Sequence, residues 1–430
     1  MKLRFYNAKI LSLQQEACIF DGELWTNGDR ISYLGSPKEE IPDFDREINL
    51  NGNLILPSFK NAHTHSAMTF LRSFADDLPL LEWLDQQVFP MEAKLTDDDA
   101  YHLSKLAILE YLQGGCSAAF DMYRHTEAVA AAFADAGFRL VLCGSVSDFT
   151  GTLEESAAEL ERFFTQYNRP GDDMLQYRLG FHAEYTASPS LLKEIAALSQ
   201  SYRAPVFTHI SESAAEVEGC LKRHGATPTV FLDSLGLFDW GGGGYHCVHL
   251  SQEDMTIFKK RGMYVVTNPA SNGKLASGVA PLTVYRNMGI PIAIGTDGPA
   301  SNNTLDIFRE MYLACIYEKL STRDASAMDA TEVLRMATVN GAQAMGLSDC
   351  DCLEVGKKAD FTVLDLMQPN MQPLNHIAKN IVYSGSRQNV IYTVVNGKIL
   401  YEKGEYFIGV EPVDLYQKVN EIVKRISSQV

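Results

Sequence analysis

Short apolar runs alternate with amphipathic stretches along most of the chain, and the alternation changes character twice. Over the first fifty-odd residues the runs are brief: Leu3 to Ile10, Glu16 to Leu24, Arg30 to Gly35 and Arg46 to Asn49, punctuated by Asp21-Gly22, Asn27-Gly28 and Asn51-Gly52. Such spacing predicts short β-strands joined by tight turns. The pattern returns near the end, with Asp360 to Asp365, Val390 to Val395, the turn Asn396-Gly397 and Lys398 to Glu402. Two β stretches flanking a different middle predict that residues 1–56 and 347–412 pair into one discontinuous β-sandwich, with a C-terminal helix over 413–430.

The middle, residues 57–346, alternates apolar runs with amphipathic helices, the signature of βαβ units and a parallel sheet. Eight runs end near His63-Thr64-His65, Phe120-Asp121, Cys143-Gly144, Phe181-His182, Thr208-His209, Tyr245-His246, Thr267-Asn268 and Gly295-Thr296-Asp297. Helix signals fall between them: Thr96 with Asp99 opens one that runs to Leu112 before Gly114-Gly115, and Ser251 with Asp254 opens another before Gly262. Eight strand–helix units predict an α/β fold, a TIM (β/α)₈ barrel, whose active site sits at the C-terminal ends of the strands.

Composition narrows the class. The 430 residues are 46% apolar and 21% charged, enough for one large domain and a smaller one. The basic N-terminus is broken by Asn7, Lys9, Gln14, Gln15 and Glu16 before a signal-peptide core can form. No run approaches the ~18 apolar residues a membrane helix needs. A net charge of -17 without a basic stripe argues against nucleic acid as a partner. Eight scattered cysteines, none in a Cys-x-x-Cys pair, read as buried thiols in a reducing compartment. The expectation is a cytoplasmic protein whose partner is a small-molecule substrate, with homo-oligomerisation left open.

Nine of the ten histidines, all but His376, lie between positions 63 and 249. His63 and His65 end the first apolar run of the middle region, where residues two apart on a strand share a side. His209 ends the run Pro205-Val206-Phe207-Thr208, and Asp297 closes Ile292-Ala293-Ile294-Gly295-Thr296. Three imidazoles and a carboxylate at strand ends suit one divalent ion with an open position for water: zinc first, with iron or manganese tolerated by the same donors. Glu212 follows His209 by three residues, and could instead be an acidic residue of a helix first turn capped by Ser211 or Ser213. His246 and His249 compete for one place, since residues three apart on a strand face opposite sides.

The segments Leu56-Pro57-Ser58-Phe59-Lys60-Asn61-Ala62-His63-Thr64-His65, His209-Ile210-Ser211-Glu212, His246-Cys247-Val248-His249-Leu250 and Gly295-Thr296-Asp297-Gly298-Pro299-Ala300-Ser301-Asn302-Asn303 resemble the amidohydrolase superfamily. Within it the chain is similar to the branch of 5′-methylthioadenosine/S-adenosylhomocysteine deaminases and triazine hydrolases, on Arg72, Glu82-Trp83-Leu84, Pro90-Met91-Glu92, Asp121-Met122-Tyr123 and Asn340 to Gly346. The resemblance implies His63, His65, His209 and Asp297 as metal ligands, Glu212 as proton shuttle, and His246 beside the bound water. It also implies Glu92 on ribose hydroxyls. His182, ending the fourth strand, is a candidate substrate contact. That strand, Leu179 to Tyr185, lacks the lysine that bridges two metals elsewhere in the superfamily, which implies a single ion and deamination of an aminated heterocycle.

Members that take S-adenosylhomocysteine are expected to clamp its carboxylate with arginines after the third strand, and Gly144 to Thr152 holds none. A neutral substrate (5′-methylthioadenosine, 5′-deoxyadenosine or adenosine) is therefore expected. The alternatives are a relative acting on guanine, a pterin, cytosine or a triazine, and a binding scaffold without catalysis, which should have lost a ligand.

Overall fold

The computed structural model describes residues 1–14, 18–74, 76–78, 80–149 and 151–429. Residues 16–17 of the strand expected from Glu16, Thr150 of the third loop and Val430 of the terminal helix lie outside that set.

The apolar run Leu54-Ile55-Leu56-Pro57 divides the molecule, because the chain changes sheets at the polar Ser58 that follows it. The strands before that point are β1 (Lys2–Leu11), β2 (Ile19–Asn27), β3 (Arg30–Gly35), β4 (Arg46–Asn49) and β5 (Leu54–Pro57). After it come β6 (Phe59–Thr64), β7 (Cys116–Met122), β8 (Arg139–Cys143), β9 (Leu175–Ala183), β10 (Val206–Ile210), β11 (Gly242–His246), β12 (Tyr264–Thr267) and β13 (Ile292–Ile294). The last group is β14 (Phe361–Leu364), β15 (Val390–Val395), β16 (Lys398–Glu402) and β17 (Glu405–Tyr406).

Strands β6 to β13 pair in sequence order, all parallel, into the expected eight-stranded barrel. Its mouth closes where the backbone N–H groups of Thr296 (3.1 Å) and Asp297 (3.0 Å), just past β13, donate to the carbonyl of His63 on β6. Asn61 adds a two-way clasp: its Nδ2 donates to Thr296 Oγ1 at 2.7 Å, and its Oδ1 accepts from Thr296 N at 2.9 Å. The interior is filled by Ala62, Phe120, Val141, Phe207, Tyr245, Val266 and Ala293. Between most strands lie the helices that cover the barrel, among them Asp97–Gln113 and Gln252–Arg261, both opened by the capping boxes the sequence predicts.

The flanking segments meet in a mixed sheet of order β17-β16-β15-β14-β5-β1-β2-β3, with β4 paired to β1. It is one continuous sheet that curls over its own core: Phe5 of β1 meets Tyr392 of β15, three strands away, at 6.0 Å between ring centroids. Barrel and sheet are pinned by Arg139 of β8 and Asp360, both fully buried, with Nε donating to Oδ2 at 2.8 Å. The terminal helix Pro412–Ser427 buries Leu415, Val419, Ile422 and Ile426, and packs on Asp97–Gln113 of the barrel.

Candidate metal centre and active site

The strand ends of the barrel converge on a cavity of about 500 Å³ lined by His65, Glu92, Arg124, His182, His209, Glu212, His246 and Asp297. His63 lies beneath them, fully buried and stacked on Tyr245 at 3.7 Å, with neither ring nitrogen hydrogen-bonded. One ligating atom from each of His63, His65, His209 and Asp297 falls within 4.8 Å of the others. An orphaned, buried imidazole facing two others and a carboxylate fits a metal ion: such nitrogens are otherwise costly to bury unpaired.

Backbone carbonyls set the rings. His209 Nδ1 donates to the carbonyl of His182 at 2.7 Å, and His65 Nδ1 donates to that of Met122. Each bond leaves Nε2 as the lone-pair nitrogen, the arrangement that orients metal-binding imidazoles. The strand argument for His63 and His65 holds only in part, because β6 ends at Thr64 and His65 follows it. Asp297 stands beyond β13 at φ 61°, in the left-handed region, as does His246 at φ 69°. Such backbone strain concentrates at functional sites. Two glycines make the close approach possible: a Cβ on Gly295 would lie 2.7 Å from the His63 Cβ, and one on Gly298 would lie 2.8 Å from Met68 Sδ.

Electrostatics follow burial. His63 is pushed down to about 3 and His209 well below the ordinary histidine range, so both are neutral, the form that binds metal. Burial acts against His65 as well, but Asp297, 3.2 Å from its Nε2, reverses this and raises it to about 9, a proton that a bound cation would replace. Burial also opposes ionisation of Asp297, yet His63 and His65 beside it hold the carboxyl well below the usual range. Glu212 is raised by burial.

Glu212 precedes Ser213, the cap of helix Ala214–His224, so it is outside the helix and faces the cavity. Its turn is held by Glu216, whose carboxylate accepts from Ser211 N at 2.7 Å and Glu212 N at 2.8 Å. His246 ends β11, and its Nδ1 donates to Asn272 Oδ1 at 2.7 Å. Its Nε2 lies 3.8 Å from Glu212 Oε2 and 3.9 Å from Asp297 Oδ2. His249 lies beyond the strand in a turn, bonded to the carbonyl of Ser277, so strand alternation does not decide between the two histidines; position does. His182 reaches the cavity with Nδ1 3.0 Å from Thr186 Oγ1. Glu92 is buried, its Oε1 without a hydrogen-bond partner. His102, His125, His224 and His376 have partners elsewhere.

The amidohydrolase family profile matches residues 54–400. The chain belongs to the amidohydrolase family. This amidohydrolase is 36% identical to a 5-methylthioadenosine/S-adenosylhomocysteine deaminase of Thermoanaerobacter pseudethanolicus over 99% of its own length and 98% of the relative's. It is 38% identical to the protein of that name in Moorella thermoacetica over 94% of each chain. Its fold superimposes on a zinc-bound adenosine deaminase from Xanthomonas campestris with a TM-score of 0.94 at 30% identity, covering 99% and 98% of the two chains.

Several residues of the amidohydrolase site escape a strand-end reading. Ser271 and Asn272 sit in the short helix Pro269–Lys274 after β12, Ser301 sits in a turn after β13, and Arg124 enters from the loop after β7 rather than from the arginine-free loop after β8. One signal could have found the first three: Pro-Ala-Ser-Asn occurs after β12 (Pro269 to Asn272) and again after β13 (Pro299 to Asn302).

Proposed function

We propose that this amidohydrolase is a zinc-dependent aminohydrolase that deaminates a neutral adenosine derivative, 5′-methylthioadenosine, 5′-deoxyadenosine or adenosine, to the inosine analogue and ammonia. The observation that carries the reading is the convergence of His63, His65, His209 and Asp297 with Glu212 and His246 on one cavity. The names of the relatives and the zinc in the Xanthomonas campestris structure support the reaction and the metal.

His63, His65, His209 and Asp297 hold the ion. When bound, it supplies Lewis acidity that brings a water pKa from ~15.7 towards ~7. Asp297 takes the proton of the attacking water. Glu212, whose carboxyl burial raises above the ordinary range, gives a proton to a ring nitrogen of the substrate, so that the C–O bond forms as the ring accepts electrons. Asp297 then passes its proton to the amino group, which leaves as ammonia, while Glu212 recovers a proton from the new hydroxyl as the C=O bond forms. His246 Nε2, between the two carboxylates, supports the oxygen in transit. Glu92 and His182 line the wall for the sugar or ring.

Arg124 favours a second reading. Its guanidinium lines the same cavity, 3.6 Å from Glu92 Oε2, and supplies a cation for a carboxylated 5′ tail such as that of S-adenosylhomocysteine. The test is ammonia release by the zinc-loaded protein, with a metal-free control, across adenosine, 5′-deoxyadenosine, 5′-methylthioadenosine, S-adenosylhomocysteine, guanine, cytosine and an aminotriazine. Metal-dependent release from neutral adenosines alone upholds the first reading, and release from S-adenosylhomocysteine as well upholds the second. Silence with one metal bound per chain would discard the adenosine assignment.

A further inference from the structure

The two Pro-Ala-Ser-Asn segments, one opening the short helix Pro269–Lys274 and the other in a turn after β13, do matching work. Ser271 Oγ donates to Asp297 Oδ2 at 2.6 Å, and Ser301 Oγ donates to the same oxygen at 2.8 Å. The residue after Ser271, Asn272, accepts from His246 Nδ1. The residue after Ser301, Asn302, donates from Nδ2 to the carbonyl of Thr296 at 2.7 Å. Both segments are bonded to one carboxylate: Glu310 Oε2 accepts from Ala270 N at 2.9 Å, and Glu310 Oε1 accepts from Asn302 Nδ2 at 2.7 Å.

Glu310 is fully buried and lies in the first turn of helix Ile307–Thr322, outside the cavity. An acid there would suit the helix dipole. Its oxygens are instead committed to two groups outside its own helix, which fixes the spacing between the segments after β12 and β13. That spacing decides whether two hydroxyls reach one oxygen of Asp297, leaving the other turned towards His65 and His63.

We propose that Glu310 is a positioning residue of the catalytic centre: by joining the twin Pro-Ala-Ser-Asn segments it aims Asp297 at the metal and His246 at Glu212. The inference rests on the proposed metal-site reading, and its test does not require the substrate to be known.

Glu310→Gln keeps the size but replaces one acceptor with a donor, so either Ala270 N–H or Asn302 Nδ2–H faces another N–H. A matched control lies on the same helix. Glu318, also buried, accepts from Leu282 N and Thr283 N at 3.0 Å each and touches neither segment. In Glu310→Gln, zinc affinity measured by chelator competition falls at least about tenfold, the scale on which partners of metal ligands act. The visible spectrum of its cobalt-substituted form shifts, and kcat on the best substrate falls about tenfold with KM moved less than about threefold. Glu318→Gln loses comparable thermal stability but keeps affinity, spectrum and kcat. If Glu310→Gln loses only stability, as the control does, the proposal is overturned. Should that variant not fold, Asn302→Ala removes one arm of the junction and is judged by the same affinity and spectrum. A wild-type chain that binds no divalent ion would overturn the metal-site reading instead.

Discussion

A buried carboxylate beside an imidazole and a second carboxylate is a costly arrangement, and Glu212 occupies one. Burial raises its pKa, Asp297 adds to the rise, and His246 and His65 oppose it. A group that must deliver a proton is active while protonated, so kcat/KM should fall on the alkaline side as pH climbs through a value above the ordinary Glu figure of about 4.3. A profile flat through that range would remove Glu212 as the acid. Glu212→Gln, which cannot deliver that proton, should retain the metal and lose at least ~10²-fold in turnover, read as kcat with metal content measured on the same sample. Asp297→Ala removes a ligand and should abolish activity together with tight metal binding; normal turnover in that variant would sink the site.

Among the elements, the join between β6 and β13 sets the geometry of the mouth. It is made by two backbone bonds to the carbonyl of His63 and by the Asn61–Thr296 clasp, both between residues more than 230 positions apart. Asn61→Ala removes one bond from Thr296 N, which keeps the His63 carbonyl, and one from Thr296 Oγ1, which keeps the Asp297 carbonyl, so it should cost about 0.5–1.5 kcal/mol per lost bond in urea unfolding of the metal-free protein. A change below about 0.5 kcal/mol would mean that the backbone bonds alone close the barrel. The elements themselves were largely legible. Val390–Val395, Arg30–Gly35, Arg46–Asn49 and Lys398–Glu402 are strands at the expected residues because alternation and Asn-Gly or Gly-containing turns are local signals. The chain changes sheets at Ser58, a buried polar residue between β5 and β6, and hydropathy alone does not show which sheet each side joins.

At the scale of the molecule, Arg139 and Asp360 bind the barrel to the outer sheet from a fully buried position. Burial by itself raises the Asp360 carboxyl, but Arg139 more than offsets this and holds it low. A depressed folded-state pKa contributes stability above the unfolded value of about 3.9, and that contribution disappears as pH falls through the folded one. Asp360→Asn should therefore cost up to about 3–5 kcal/mol at neutral pH by leaving buried Arg139 with only Asp173 as an ionic partner, 3.5 Å away, with a smaller loss relative to wild type in acid. A pH-independent difference between the two proteins would show that the pair contributes through packing alone. No helix among the described residues is long and apolar enough to cross a membrane.

By itself the chain determined what depends on neighbours in sequence. Strand and helix periods, caps, the order of eight βα units and the chemistry of His63, His65, His209 and Asp297 could all be read, because backbone pattern and side-chain donors are local properties. Tertiary structure decided what depends on neighbours in space. It placed Arg124 where the adjacent loop has no arginine, put His246 rather than His249 in the cavity, and brought Glu92 in from a helix. It also brought Ser271 and Ser301, thirty residues apart, onto one oxygen of Asp297. The physical reason is that loop backbones at a barrel mouth have no period: their side chains point where the closed barrel and groups such as Glu310 hold them, and neither exists until the chain has folded.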